Sequence, residues 1–243
     1  MKSLVFAKRC LKEILRDPLN LAFGLGFPVA ILLLLSAIQA NVPVDLFAIE
    51  SLAPGAAVFG LSFITLFSAT LIAKDRESAF LQRLYATPLK AVDFILGYTL
   101  PLLPVALAQA GICYLVAFAL GLPISVNIVY ALVMVLPVSV LYIAVGLLCG
   151  SVLNVKQVGG VCGALFTNLS AWLSGVWFDL ALVGGGFEKI ANFLPFVHAV
   201  TAQRAAVGGA FLDSLLHSLP VFGYAVLFTI VAVLLFLRQM RKQ

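Results

Sequence analysis

The sequence has few charged residues: Asp, Glu, Lys and Arg make up 10% of its 243 positions, whereas hydrophobic residues make up 63%. A typical soluble domain is about half apolar and about a quarter charged. A soluble fold does not fit this composition, because so short a chain has no core large enough to bury that much apolar surface. The composition indicates a protein whose solvent is lipid.

The sequence also lacks the motifs of common catalytic and nucleotide-binding sites. It contains no GxxxxGK[ST] phosphate loop, no HExxH motif, no GxSxG motif and no carboxylates paired for acid–base catalysis. Its two histidines and four cysteines are not spaced as a zinc site or a disulfide framework. We therefore expect no catalytic residue, no metal site and no ATP site in this chain.

Six apolar runs are each long enough to cross a bilayer, which takes about 20 helical residues. They are Leu19–Ala40, Leu52–Ala73, Phe94–Leu120, Ile128–Gly150, Val158–Phe178 and Leu215–Leu237. None holds a charged residue, which argues against the carboxylate relays of ion-coupled carriers. The sequence predicts an all-α membrane protein with six transmembrane helices, forming one domain over residues 1–243. Prolines inside the runs either kink a helix or are tolerated within it as structural residues; they include Pro28, Pro101, Pro104 and Pro137.

The basic residues predict the orientation. On one side of the predicted membrane lie Lys2, Lys8, Arg9, Lys12, Arg16, Lys74, Arg76, Arg83, Lys90, Lys156, Arg238, Arg241 and Lys242. Only Lys189 and Arg204 lie on the other side. Because basic residues stay on the cytoplasmic side, we expect a multi-pass protein of the cytoplasmic (inner) membrane with both termini inside. This topology accounts for the net charge of +5 without a nucleic-acid partner.

Residues 1–18 have the pattern of an amphipathic helix. Apolar residues recur at helical spacing at Leu4, Ala7, Leu11, Ile14 and Leu15, and charged residues occupy the other side. Such a basic helix lies in the membrane interface with its apolar face toward the acyl chains, and Pro18 turns the chain into the first span. The alternative is a solvated leader that only sets topology.

Residues 179–214 form the one long segment on the outer side. The segment is largely apolar, but Gly184–Gly186, Pro195 and Gly208–Gly209 divide it into pieces too short to span. This pattern predicts a re-entrant segment of short helices at membrane depth, covered by protein. His198 lies in this segment, and we expect it to bond a neighbouring backbone group or carboxylate.

Residues 74–93 contain the main charged segment, between the second and third spans. It begins with Lys74-Asp75-Arg76-Glu77 and reaches Thr87-Pro88, where proline ends a helix. Two interpretations stay open from the residues alone. The segment is either a cytoplasmic docking element or a solvated charge cluster that anchors two helix ends.

The fifth span carries a stripe of small residues. Gly159, Gly163, Thr167, Ala171 and Gly175 recur every fourth position, with Asn168 beside them. The second span has a similar face in Ser62, Thr65 and Ala69. Small residues let helices approach closely in lipid, so each face predicts either packing within one bundle, a subunit seam or a pathway wall.

The order of these features resembles the ABC-2 family of ABC-transporter permeases. The most specific match is Lys74-Asp75-Arg76-Glu77 with Leu84, Ala86-Thr87-Pro88-Leu89 and Leu96-Gly97. Pro54-Gly55, and Leu194-Pro195-Phe196 with His198, resemble two further family motifs. Ser78-Ala79 stand where the family commonly has a glycine.

This resemblance implies a permease subunit of an ATP-driven exporter. We expect an amphiphilic or lipid-like cargo, because the small-residue faces of the second and fifth spans offer hydroxyls and apolar groups but no fixed charge. Two copies of a separate ATPase subunit, which binds ATP and Mg²⁺, would act with two permease copies, identical or homologous. The implied ATPase-coupling residues are Lys74, Asp75, Arg76, Glu77, Phe80, Leu84, Tyr85, Thr87 and Pro88, and the second and fifth helices would reshape the pathway. The rivals are an ATPase-independent carrier or scramblase and a non-transporting membrane assembly factor.

Overall fold

The computed structural model describes residues 2–78 and 91–240. These residues form helices, with no strand among them. In chain order the helices are α1 (Lys2–Leu15), α2 (Pro18–Gln39), α3 (Ile49–Glu77), α4 (Ala91–Thr99), α5 (Leu102–Ala119), α6 (Asn127–Val152), α7 (Val155–Val158), the π-helix π1 (Gly159–Phe166), α8 (Thr167–Leu173), α9 (Leu180–Val183), α10 (Gly185–Phe193), α11 (Pro195–Val207) and α12 (Phe211–Met240).

Five helical stretches are long and apolar enough to cross a membrane. They are Asn20–Gln39, Ile49–Glu77, Val92–Ala119, Asn127–Val152 and Phe211–Leu235. These five confirm the prediction of a multi-pass, all-helical membrane protein. The third stretch is interrupted at Leu100 and Pro101, between α4 and α5, because proline cannot donate the backbone hydrogen bond that a continuous helix needs.

Helix α3 is the centre of the bundle. From Leu52 to Ala73 almost every residue is buried, and the most extensive contacts of α3 are with α6. Helices α2, α5 and α11 also pack against it. We call the end of the bundle that carries Lys74 the inner end, and the end that carries α9 to α11 the outer end.

Helix α1 has one face buried against the bundle and apolar residues that are exposed beside it. Phe6, Cys10 and Ile14 are buried against the bundle, and the Phe6 ring packs edge-on against Tyr98 with 4.9 Å between centroids. Leu4 and Leu15 are 63% and 59% exposed. The apolar periodicity therefore indicated the helix correctly, but protein covers much of the face that the sequence assigned to lipid. The interfacial position of α1 stays a prediction.

The predicted fifth span is helical from Val155 to Leu173, in three consecutive segments: α7, π1 and α8. A π-helix of this length is rare, and π-turns are frequent at functional sites. The helix ends before the predicted Phe178, because Gly175 has a φ of +68°, a backbone conformation that a residue with a Cβ rarely adopts. A sixth transmembrane span over these residues stays a prediction.

The outer segment is broken where the sequence predicted. Helix α9 ends at Gly184, whose φ is +61°, and α11 begins with Pro195 at its first position. The chain leaves α11 through Gly208 and Gly209 before α12 begins. Glycine and proline thus set the three short helices, and their re-entrant depth in the membrane stays a prediction.

Candidate functional site

The most connected charged residues lie at the inner end of α3. They are Lys74, Asp75, Arg76 and Glu77, which we call the tetrad, and they form the last turn of the helix. At 3.6 residues per turn, four consecutive side chains point to all sides of a helix. Because other helices surround α3, each member of the tetrad reaches a different neighbour.

Asp75 joins α3 to α1 and α4. It is 1% exposed and accepts hydrogen bonds from both terminal nitrogens of Arg9, each at 2.5 Å. The Tyr98 hydroxyl donates to the same carboxylate at 2.8 Å. A buried carboxylate is costly unless it is paired and hydrogen-bonded, and these contacts satisfy that requirement.

On the α1 side of this contact, Arg9 stays positively charged. Burial by itself lowers the pKa of Arg9, but the hydrogen bonds and charge of Asp75 raise it above its ordinary value. Arg9 also pairs with Glu13 at 2.8 Å, one turn along α1. Burial raises the pKa of the neighbouring Cys10 thiol to about 12, so Cys10 stays protonated and unreactive at neutral pH. The contact is structural rather than chemical.

Arg76 joins α3 to the end of α6. Its guanidinium donates to the carbonyl oxygens of Gly150 at 3.2 Å and Leu153 at 3.0 Å, and also to the carbonyl oxygen of Ser151. The last carbonyls of a helix have no partner within the helix and carry partial negative charge. Arg76 supplies both the donors and the positive charge that this helix end lacks.

Glu77 and Lys74 contact two further helix beginnings. The Glu77 carboxylate accepts the backbone N–H of Val155, the first residue of α7, at 2.9 Å. Lys74 pairs with Asp17 at 3.4 Å, and Asp17 caps α2 by accepting the Asn20 N–H at 3.3 Å. Burial raises the pKa of Asp17, but the bonds from Asn20 and the charge of Lys74 outweigh it and lower the pKa below its usual value.

The tetrad thus connects α3 to α1, α2, α4, α6 and α7. Lys74 and Glu77 are exposed, Arg76 is half-buried and Asp75 is buried, so the charged segment begins as an internal junction. The other predicted coupling residues, Phe80, Leu84, Tyr85, Thr87 and Pro88, lie outside the described residues. The sequence analysis did not predict Arg9 and Tyr98 as partners of Asp75. The signal was Asp75 itself, because an acidic residue near the end of an apolar helix needs a partner when it is buried.

The small face of α3 packs inside the protomer. The Thr65 hydroxyl donates to the Tyr142 carbonyl oxygen at 2.8 Å, and the Ser62 hydroxyl donates to its own helix at the Phe59 carbonyl oxygen, 2.7 Å away. Ala69 is fully buried in a small cluster with Val158 and Cys162, between α3 and the fifth-span helix. In this protomer the three residues contact protein rather than an open channel.

Helix α6 supplies the matching surface with two glycines that the sequence analysis overlooked. A Cβ at Gly146 would lie 2.6 Å from the Thr65 carbonyl oxygen, and a Cβ at Gly150 would lie 2.6 Å from the Ala69 carbonyl oxygen. Both distances are too short for any side chain. In the sequence, two glycines four residues apart are the pattern that indicates such a close approach of two helices.

The stripe of the fifth-span helix turns gradually into the protein. Gly159 is exposed, Gly163 is half-buried, and Thr167 and Ala171 are buried. A Cβ at Gly163 would meet the Leu66 side chain of α3 at 3.5 Å, and Gly175 lies beyond the helix end. A neighbouring face stays open, with Leu165 and Trp172 both 56% exposed. Asn168 lies on it, and its amide donates back to the Ala164 carbonyl oxygen at 2.8 Å.

The outer end contains Pro195 and His198 of α11. Pro195 is buried, whereas His198 donates through Nε2 to the Asn192 carbonyl oxygen at 3.0 Å and faces His217 Nδ1 at 3.4 Å. The hydrogen bond to the Asn192 carbonyl oxygen confirms the expectation that His198 bonds a neighbouring backbone group.

Arg204 lies on the same helix and borders the main cavity of the outer end. It donates to the carbonyl oxygens of Ser51 and Gly175 at 3.2 and 3.1 Å. It borders a cavity of about 450 Å³ that Asp179, Glu188 and Trp177 also line.

Comparison with known proteins gives the family. Over 195 residues the chain is 27% identical to the ABC transporter G family member 20 of Dictyostelium discoideum, a match that covers 76% of this chain. The chain spans 26% of the length of that protein. The sequence profile of the ABC-2 type transporter family matches residues 2–207. Since this match includes α1, the tetrad and the outer helices through α11, the chain belongs to the ABC-2 type transporter family.

Proposed function

We infer that this chain is the permease subunit of an ATP-driven exporter. A separate ATPase subunit would dock on residues 74–93, with two copies of each subunit in the working unit and both termini of the permease in the cytoplasm. The observation that carries this proposal is the tetrad. A force applied at the inner end of α3 reaches five neighbouring helices through direct polar contacts.

The fifth-span helix is the proposed seam between the two permease copies and the wall of the pathway. Its open face is apolar around Leu165 and Trp172, with one amide at Asn168. Gly159, Gly163, Thr167, Ala171 and Gly175 border that face. Ser62, Thr65 and Ala69 of α3 lie behind it, where they transmit the displacement of α3. Residues 159–173 of the fifth-span helix contain no Asp, Glu, Lys or Arg, and Arg204 lies further out.

The proposed cargo is amphiphilic or lipid-like. An apolar face with a single amide suits an acyl chain or a similar apolar body, because it offers no charged partner. The outer cavity beside Arg204, Asp179 and Glu188 suits a polar head group. Cargo that is wholly ionic would find no compensating charge along the open face.

The test measures ATP-dependent movement of a head-group-labelled fluorescent phospholipid in vesicles that contain the permease with its ATPase. We expect labelled lipid to move toward the side opposite the ATPase only when ATP is supplied. Replacing Leu84 and Tyr85 with Asp is expected to abolish co-purification of the ATPase while membrane insertion continues. The matched control places the same two Asp residues at Val44 and Leu46, which are exposed in the outer loop.

The rivals predict other results. Lipid movement by the permease without ATP or ATPase identifies a carrier or scramblase. Unchanged ATPase recovery in the Leu84→Asp, Tyr85→Asp variant contradicts docking at this loop. If no ATPase co-purifies with the unmodified chain and no lipid moves, the result contradicts the proposed exporter and favours an assembly factor.

A further inference from the structure

Three cations, two on α1 and one directly after its last residue, are set apart from the other charges at the inner end. Lys8, Lys12 and Arg16 follow one another at four-residue spacing and are all exposed. Arg9 and Lys74 are used in ion pairs with Asp75 and Asp17. In the part of the chain that the structure describes, Lys8, Lys12 and Arg16 form no ion pair and no side-chain hydrogen bond. Helical spacing thus produces a row of three positive charges without a carboxylate to neutralise it.

An exposed apolar strip lies directly beside this row. Leu4 and Leu15 are largely exposed and Leu11 is half-buried. On a helix these three positions fall within about one sixth of the circumference, between the buried face and Lys8. Exposure of these leucine side chains to water is unfavourable, so the strip indicates contact with acyl chains. The cations next to it then lie at the depth of the lipid phosphates.

The row also borders a concave surface. A groove of about 630 Å³ runs along it, lined by Val5, Lys8, Arg9, Lys12, Glu13 and Arg16. Among the described residues that line the groove, Glu13 is the one carboxylate; it pairs with Arg9, and burial raises the pKa of Glu13. The groove therefore has a net positive charge and a volume in the range of small-ligand sites.

We propose that Lys8, Lys12 and Arg16 form a binding site for the head groups of anionic phospholipids in the cytoplasmic leaflet, with the Leu4, Leu11 and Leu15 strip against their acyl chains. The occupant is a phosphodiester lipid with a net negative charge, because a zwitterionic head group would leave the three charges unneutralised. The attraction increases with each Lys or Arg near an anionic surface. The site goes beyond the transport proposal and rests on it only for the cytoplasmic position of α1.

The test uses the full chain, purified in neutral detergent without ATP or ATPase. Native mass spectrometry counts bound phosphatidylglycerol and bound phosphatidylcholine on the unmodified chain, on Lys8→Gln/Lys12→Gln/Arg16→Gln and on a control. The control, Lys156→Gln/Lys189→Gln/Arg238→Gln, removes three exposed positive charges elsewhere. We expect the unmodified chain and the control to retain phosphatidylglycerol about tenfold or more over phosphatidylcholine, and the α1 variant to lose that preference.

A second measurement on the unmodified chain does not depend on how the variant folds. Raising ionic strength from about 0.01 M to about 1 M shortens the screening length from about 30 Å to about 3 Å, so the preference for phosphatidylglycerol should disappear. The proposal is overturned if the preference survives high salt or survives in the α1 variant. It is also overturned if inorganic phosphate displaces the lipid. Because no transport is measured, failure here leaves the proposed function untouched.

Discussion

Arg76 and Glu77 are adjacent in sequence and contact the two sides of one turn. Arg76 donates to carbonyl oxygens at the end of α6, and Glu77 accepts the first N–H of α7. The carbonyl end of a helix is partially negative and the N–H end partially positive. The two opposite charges therefore match the two opposite helix ends, and together they fix the α6–α7 turn against α3.

This arrangement leads to a prediction for coupling. Glu77→Gln keeps an oxygen that can accept the Val155 N–H but loses the charge, whereas Glu77→Ala loses both. A side-chain acceptor at a helix beginning is worth about 1 kcal/mol, which corresponds to about a fivefold effect. ATP-dependent lipid movement should fall in the order wild type, Gln, Ala while ATPase co-purification stays constant. Lys156→Gln in the same turn is the control, and a result in which it matches Glu77→Ala would contradict the role of the contact.

The Arg9–Asp75 pair gives an asymmetric prediction. Arg9→Ala leaves Asp75 buried without its ion-pair partner, and the cost is expected near the lower end of the roughly 3–5 kcal/mol for breaking a buried pair, because 36% of the Arg9 side chain is exposed. Asp75→Asn should cost less, since Arg9 can turn toward water. Thermal unfolding in detergent measures both.

The double variant Arg9→Ala/Asp75→Asn is the control for that asymmetry. Removing the buried charge should recover much of the stability lost in Arg9→Ala, because no ionised group is left unpaired. Equal melting temperatures for Arg9→Ala and Asp75→Asn would mean that burial of the carboxylate does not decide the cost.

Close packing of α6 on α3 is tested at a single methyl group. Gly150→Ala places a Cβ 2.6 Å from the Ala69 carbonyl oxygen and 2.9 Å from its α-carbon. Both are backbone atoms, so no rotamer change relieves the clash, and we expect a loss of about 1–3 kcal/mol. Gly111→Ala in α5 is the matched control, because nothing lies within 4 Å of its Cβ position. A drop in melting temperature for Gly111→Ala as large as for Gly150→Ala would refute the packing argument.

Substitutions at two glycines of π1 distinguish packing within the protomer from contact at the proposed seam between two copies. Gly163→Leu meets Leu66 and should lower protomer stability by about 1–3 kcal/mol. A Cβ at Gly160 would meet nothing within 4 Å, so Gly160→Leu should leave protomer stability unchanged while association of two permease copies weakens. Melting temperature in detergent reports the first effect, and the dimer fraction from single-molecule photobleaching in vesicles reports the second. A normal dimer fraction for Gly160→Leu would place the seam on another face.

The sequence predicted the helices and their breaks better than their partners. Gly184, Pro195 and Gly209 determine where the outer helices are interrupted, because glycine allows a positive φ and proline fixes φ at about −65°, and both effects are local. The Arg9–Asp75 pair joins residues 66 positions apart, and no periodicity reveals such a pairing. The π-helix was not predicted either. It differs from an α-helix by a shift of one residue in the hydrogen-bond pattern, and composition does not reveal that shift.

Gly150 connects two of these contacts along α3. A Cβ at Gly150 would clash with Ala69, and the Gly150 carbonyl oxygen accepts from Arg76, seven residues further along α3. Seven residues are close to two turns, so Ala69 and Arg76 lie on one side of the helix. Inserting or deleting one residue between them would turn the tetrad by about 100° relative to Gly150, and each charge would then face a partner meant for its neighbour. The number of residues between Ala69 and Arg76 therefore determines which neighbouring helix each charge of the tetrad contacts.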